Sequence, residues 1–224
     1  MSRWMPYQNN GGTALAVAGK DYAIIAGDTR LSVGYSISTR NSSKLIKLTD
    51  KAVLASCGMQ ADRNTLQSIL NARMQIYKLE HQKEMSTHAI SQLLSRTLYY
   101  RRFFVYYTFN ILAGISDDGE GFVYGYDAVG SFEAQKHAVT GEGGELASPL
   151  LDNLLDKQHD SKVKKDRNGK PDPNSELSKD DALKLVKDVL TAITEREITT
   201  GDAADIYVIT KDGIEYIKFD LKKD

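Results

Sequence analysis

The apolar residues of this chain change their spacing in five successive blocks, and that alternation restricts the fold more than any other feature. The first block is short apolar runs cut by turn residues. Residues 13–18 begin just after Gly11 and Gly12, and Gly19-Lys20-Asp21 predicts a hairpin turn. Residues 22–26 are Ile-rich and predict a core strand that ends at Asp28-Thr29-Arg30. Residues 44–48 and 52–56 predict two more strands around Thr49-Asp50-Lys51.

The period then becomes helical. Over residues 62–80 the apolar positions are Leu66, Ile69, Leu70, Met74, Ile76, Tyr77 and Leu79, which predicts a helix with a buried stripe. A second helix starts near Ser86, carries Ala89, Ile90, Leu93, Leu94, Thr97 and Leu98, and runs to about Phe103. Strand signals return over residues 109–115, 121–126 and 132–140, with Ser116-Asp117-Asp118-Gly119 as a turn. A helix over residues 144–154 follows. Residues 157–179 are polar, with Gly169, Pro171 and Pro173, and read as a surface loop excursion. Ser178-Lys179-Asp180-Asp181 predicts a capped helix start, with Leu183, Val186, Val189, Leu190 and Ile193 on its apolar side. Two last strands, 204–210 and 214–219, flank Lys211-Asp212-Gly213.

Strands linked by hairpins, without βαβ alternation, argue for antiparallel sheets and against a doubly wound parallel fold. Two amphipathic helix pairs suffice to cover two sheet faces. The expected class is α+β, a four-layer αββα sandwich of two antiparallel sheets with helices on both outer faces. The 224 residues are read as one domain, 1–224, with residues 1–11 as an N-terminal extension.

Composition excludes several function classes. The formal net charge is -1, and the lysines between Lys157 and Lys170 are mixed with acids and carry no aromatics, so neither nucleic acid nor an anionic membrane is an expected partner. No apolar run approaches the length of a membrane span. The first ten residues have no apolar core of a secretory signal. Cys57 is the only cysteine, so an internal disulfide is impossible, and its place at the end of an apolar run makes it a packing residue. The four histidines have no cysteine partners, so neither a metal nor another cofactor is expected.

The run Gly11-Gly12-Thr13-Ala14-Leu15-Ala16, followed by Ile24-Ile25-Ala26-Gly27-Asp28-Thr29-Arg30, resembles the opening of proteasome β subunits, which are N-terminal nucleophile hydrolases. The similarity extends over nearly the whole chain. Asn10-Gly11-Gly12-Thr13, the aromatic run from Tyr99 to Tyr107, Asp127 to Ser131, Pro149 to Asn153 and Leu185 to Val189 point to a branch without catalytic activity. The resemblance implies the same four-layer fold. It also implies a place in stacked seven-membered rings of α and β subunits, with subunits beta-5 and beta-7 as ring neighbours and a second β ring opposite. Location in cytoplasm and nucleus, and a part in ubiquitin-dependent protein degradation, follow from it as expectations.

Active members of that family attack with an N-terminal threonine whose own amine takes the proton, aided by a lysine and an aspartate. By the resemblance, Asp28 and Lys44 match the aspartate and lysine. Counting back from Asp28 at the family's spacing reaches Gly12, which has no nucleophile. The rival assignment makes Thr13 the nucleophile after cleavage of the Gly12–Thr13 bond, the bond type that active members cut. Thr13 is one residue out of register, and in a strand that turns the side chain to the other face. Glu142 stands where the family has a serine, Glu197 where it has an aspartate, and Thr200 where it has another serine. The Ser116-Asp117-Asp118 turn matches one that lines the substrate pocket of the neighbouring beta-5 subunit in the family.

Overall fold

Alternation along the strands sorts side chains into three apolar layers. A computed structural model describes residues 4–155 and 177–224. One five-stranded sheet has the order β10 (His137–Gly141), β1 (Thr13–Ala18), β2 (Tyr22–Asp28), β11 (Ala203–Thr210), β12 (Gly213–Asp220). The other has the order β5 (Leu45–Thr49), β6 (Ala52–Gly58), β7 (Thr108–Ile115), β8 (Gly121–Tyr126), β9 (Phe132–Gln135). Every pairing in both is antiparallel. A small two-stranded ribbon, β3 (Leu31–Val33) with β4 (Ser36–Thr39), stands apart.

In the first sheet, Leu15, Val17, Ile24, Ala26, Ile206 and Val208 pack against helices α3 (Gly144–Leu155) and α4 (Lys179–Thr194). The alternate residues, among them Ala14, Ala16, Ala23 and Ile25, face Val53, Ala55, Ile111 and Ala113 of the second sheet. Many of these are alanines, and small side chains let the two sheets approach closely. The outer face of the second sheet offers Ala52, Leu54 and Leu112 to Leu66, Leu70, Ile90, Leu94 and Leu98 of helices α1 (Gln60–His81) and α2 (Thr87–Tyr99). The layers are therefore helix, sheet, sheet, helix, as expected.

Capping fixes two of the helix starts. Ser178 accepts the Asp181 amide at 3.2 Å and Ser86 accepts the Ala89 amide at 3.2 Å. Some boundaries differ from the sequence reading. Helix α2 stops at Tyr99, and the next residues make turns, with the Arg101 and Arg102 amides donating to Leu98 and Tyr99. On α1 the buried stripe is Arg63, Leu66, Leu70 and Met74, while Ile76 and Leu79 are 54% and 72% exposed. Residues 66, 70 and 74 repeat every fourth position, and 76 and 79 fall off that line. Residues 132–140 are not one strand. They break at Lys136, whose carbonyl accepts the Ala18 amide at 2.7 Å, and cross from β9 in one sheet to β10 in the other. Strand β3 has three residues and β4 is mostly exposed, so no apolar alternation announces them. The expected excursion at 157–179 falls almost wholly outside the described residues.

Cys57 points into the layer between the sheets and is 1% exposed. Burial is the main cause that pushes its thiol up to about 12. A disulfide reagent at pH 8 is therefore expected to leave the native chain unmodified and to titrate one thiol per chain after denaturation in urea, read by absorbance.

Candidate functional site

The polar centre of the molecule lies where β2 ends and β5 begins. Asp28 closes β2, and Lys44 immediately precedes β5. Their side chains are 0% and 1% exposed, and Lys44 Nζ lies 2.9 Å from Asp28 Oδ1. Lys44 Nζ also donates to the Asp28 carbonyl at 3.1 Å and the Arg30 carbonyl at 2.7 Å. Three ammonium protons thus meet three acceptors. Asp28 Oδ1 accepts the Thr13 amide at 2.8 Å, and Oδ2 accepts the amides of Arg30 at 3.1 Å and Gly201 at 3.3 Å. Burial raises the Asp28 pKa above the ordinary carboxylate range, opposed by Lys44 and the backbone donors.

Gly12 sits directly on this pair. Its φ is +83°, a left-handed conformation that favours glycine. A Cβ built there would collide with Cε and Nζ of Lys44 and lie 2.7 Å from Asp28 Oδ1. The space a side chain would need is filled by the lysine. The Gly12 amide donates to Thr199 Oγ1 at 3.1 Å, and its carbonyl accepts the Glu142 amide at 2.9 Å.

Thr13 shares the face of Leu15 and Val17, which pack towards the α3–α4 layer. It is fully buried. Its hydroxyl lies 2.7 Å from Thr200 Oγ1 and accepts the Gly143 amide at 2.9 Å. Only its backbone amide reaches Asp28.

The remaining sequence-predicted positions divide. Thr200 is 1% exposed and belongs to the cluster through Thr13. Glu197 reaches it only indirectly, accepting from the amide and hydroxyl of Thr199 at 3.0 and 2.7 Å. Glu142 is exposed and accepts from the Asn9 side chain. Ser116, Asp117 and Asp118 are not brought to the cluster. They form the β7–β8 turn at the Ile115 end of β7, whereas the chain approaches the cluster at the Gly58–Thr108 end. Ser116 Oγ accepts the Glu120 amide at 3.1 Å, and Asp117 pairs with exposed Lys51 at 2.9 Å.

The sequence reading missed several participants. Thr199 links Gly12 to Glu197. Arg30, 2% exposed, donates Nε to Asp202 Oδ2 at 2.9 Å and Nη1 to the Ile198 carbonyl at 2.8 Å, pinning the segment that carries Thr199, Thr200 and Gly201. Arg40 also pairs with Asp202. No local pattern could announce contacts spanning 162 to 187 residues. A cleft of about 380 Å³ beside the cluster is lined by Arg30, Ser32, Glu197 and Thr199 among others, but not by Gly12, Asp28 or Lys44. Among the described residues no group of three or more His, Cys, Asp or Glu is placed to hold a metal ion.

The comparisons with known proteins agree among themselves. Residues 8–209 match the family described as "Proteasome subunit". The chain is 48% identical over 223 residues to "Proteasome subunit beta type-1" of Arabidopsis thaliana, covering 100% of this chain and 98% of that protein. It is 49% identical to the Dictyostelium discoideum protein of the same name, covering 99% and 91%. It is 37% identical to "Proteasome subunit beta type-6" of Saccharomyces cerevisiae, covering 98% and 91%.

The Asp202 cluster makes a pH prediction. Burial pulls the Asp202 carboxyl up, but hydrogen bonds and charges from Arg30 and Arg40 outweigh it and hold the pKa below its ordinary value. A depressed folded pKa contributes stability above the unfolded value of about 4 and loses it as pH falls through the folded value. Asp202→Asn is expected to lower stability at neutral pH and to flatten its fall in acid, measured by urea unfolding between pH 3 and 7.

Proposed function

The chain belongs to the proteasome subunit family, and we propose that it is a non-catalytic structural β subunit of the 20S core particle, of the beta-6 kind that some species name beta type-1. It assembles with other proteasome subunits. It forms part of the wall of the inner proteolytic chamber and serves ubiquitin-dependent protein degradation by completing the ring, not by cutting peptide bonds. Its ring neighbours are subunits beta-5 and beta-7, with an α ring on one side and the opposite β ring on the other. Its compartments are the cytoplasm and the nucleus.

One observation carries the absence of catalysis: the place of a nucleophilic side chain at Gly12 is taken by the Lys44 ammonium. An acyl-transfer site needs a nucleophile, a base and a spare donor for developing negative charge. Here the nucleophile is missing, and the protons of Lys44 are committed to Asp28 and Arg30. Asp28 and Lys44 are retained as a structural pair. The changed residues at 142, 197 and 200 fit the same reading, because each bonds to neighbours of its own.

The competing reading is a threonine-type endopeptidase that uses Thr13 after cleavage of the Gly12–Thr13 bond. Its hydroxyl shares the face of Leu15 and holds Thr200 and Gly143, with only its amide on Asp28. The two readings separate in purified particles. We expect an electrophilic epoxyketone probe to leave this chain unlabelled, and Gly12→Thr to add no peptidase activity, since the new side chain meets Lys44. Labelling of Thr13 would make the subunit catalytic.

Two surfaces support the assembly role. The run after α2 exposes Tyr100, Phe103 and Phe104 at 82%, 89% and 61%, and Arg102 lies over the rings of Tyr99 and Phe103 at 4.6 and 4.4 Å. Exposed aromatics with an interleaved arginine suit an obligate interface. The turn Ser116-Asp117-Asp118 is assigned to the substrate pocket of the neighbouring beta-5 subunit, where an exposed carboxylate contacts substrate without doing chemistry. Tyr100→Ala combined with Phe103→Ala is expected to lower incorporation into particles at least threefold while the free chain keeps its unfolding midpoint. Unchanged incorporation would remove the aromatic run from the interface.

A further inference from the structure

Three cations are buried among the described residues: Arg30, Lys44 and Arg63. Arg30 lies 2.9 Å from Asp202, and Lys44 lies 2.9 Å from Asp28. Arg63, near the start of α1 and 4% exposed, has no ion-pair partner among the described residues. Its one hydrogen bond there runs from Nη2 to Ser42 Oγ at 3.0 Å. A guanidinium has five N–H donors and keeps its charge near neutral pH, so most of its bonding capacity is unused within the chain. Leaving a charge so covered without an opposite partner is costly.

The groups around Arg63 add donors more than acceptors. Gln60 Nε2 also donates to Ser42 Oγ, at 3.4 Å, and the Ser42 amide is spent on the Thr29 carbonyl at 2.8 Å. The acids nearby are engaged elsewhere. Asp28 attracts Arg63 from beyond bonding distance, but it is bound by Lys44 and three backbone amides. Asp62 accepts the Tyr107 amide at 2.8 Å. Cys57, its thiol pushed up to about 12 mainly by burial, stays neutral. Helix α1 opens at Met59 without a side-chain cap, so the positive end of its dipole is added to the same region.

Solvent reaches the free edge of the guanidinium. Every enclosed side-chain nitrogen and oxygen among the described residues has a hydrogen-bond partner. Nε and Nη1 of Arg63 have none among those residues, so they open on the narrow gap that leaves the side chain 4% exposed. Nη1 and the second proton of Nη2 make a planar fork, the geometry that grips two oxygens of a carboxylate or a phosphate. The Ser42 hydroxyl and the Gln60 side-chain amide stand beside that fork.

We infer that Arg63, Ser42 and Gln60 form an anion site that takes one oxyanion group, a carboxylate or a phosphate, as the counter-charge that Arg63 lacks. The group bridges Nη1 and Nη2, and rotation of the Ser42 hydroxyl supplies a third donor. The inference stands apart from the proposed function, which rests on Gly12 and Lys44 and needs no ligand at Arg63.

The test compares the full chain with Arg63→Gln and Ser42→Ala by urea unfolding at neutral pH and fixed ionic strength, titrated with inorganic phosphate or with acetate. The wild-type folding constant is expected to rise about tenfold at a probe concentration ten times the apparent Kd, along a binding curve for one site. Arg63→Gln should abolish that rise. Ser42→Ala should weaken the apparent affinity about threefold or more, and supplies the answer if Arg63→Gln does not fold. General salt effects act on all three chains alike, so equal responses, or no response to either probe, would overturn the site. Crystals of assembled particles soaked in sodium selenate separate the sources of the group. Anomalous density within hydrogen-bond distance of Arg63 marks a free anion, and an Asp or Glu of a neighbouring subunit there marks a protein carboxylate. Water alone beside Arg63 would overturn the inference and leave the non-catalytic reading standing.

Discussion

The Asp28–Lys44 ion pair is the constraint around which the rest of the site is arranged. Both charges are removed from water, so each must be met by protein groups. Lys44 takes three oxygens, and Asp28 takes the ammonium and three backbone amides. Those amides come from the starts of β1, of the β3 segment and of β11, so the pair ties together segments distant in sequence. Losing one partner would leave the other buried and uncompensated, a cost of about 3–5 kcal/mol in general. That asymmetry is a physical reason for the two residues to be kept or lost together.

The glycine at position 12 and the ion pair depend on one another. With a side chain at 12, the end of Lys44 would have to move and its carbonyl partners at 28 and 30 would lose a donor. With glycine, the lysine fills the space and completes its bonds. The left-handed backbone at Gly11 and Gly12 turns the preceding residues towards Ser32, Gly58 and α1. The same two glycines therefore serve the polar cluster and the path of the chain that leads to it.

Strand parity explains the position of Thr13. Side chains along β1 alternate between the helix layer and the layer between the sheets. Thr13 falls with Leu15 and Val17, so its hydroxyl is used by Thr200 and Gly143, and only its amide serves Asp28. A single residue of register separates a vacant position beside the lysine from a hydroxyl committed to a structural bond.

Much of the architecture was legible locally. Leu54 and Leu112, Leu15 and Ile24, and the stripes of α2 and α4 carry their faces in their spacing, because burial on one side imposes period two on strands and near four on helices. The Gly12–Asp28–Lys44 arrangement was legible through family-like motifs and a count of residues. The split at Lys136 was not, because alternation records which residues are buried but not which sheet buries them. Strands β3 and β4 left no trace because one is too short to alternate and the other buries little. The bonds of Asn10 to Ser32 and Gly58, the place of Thr199 and the Arg30–Asp202 contact depend on groups far apart in the chain, several of them backbone amides and carbonyls that every residue carries alike. The sequence by itself determined the layers, the glycine at position 12 and the parity of Thr13, since these follow from side-chain type and spacing. Only the tertiary structure decided that Lys44 fills the place at Gly12 and that Asn10 lies between Ser32 and Gly58, since both follow from backbone paths meeting in space.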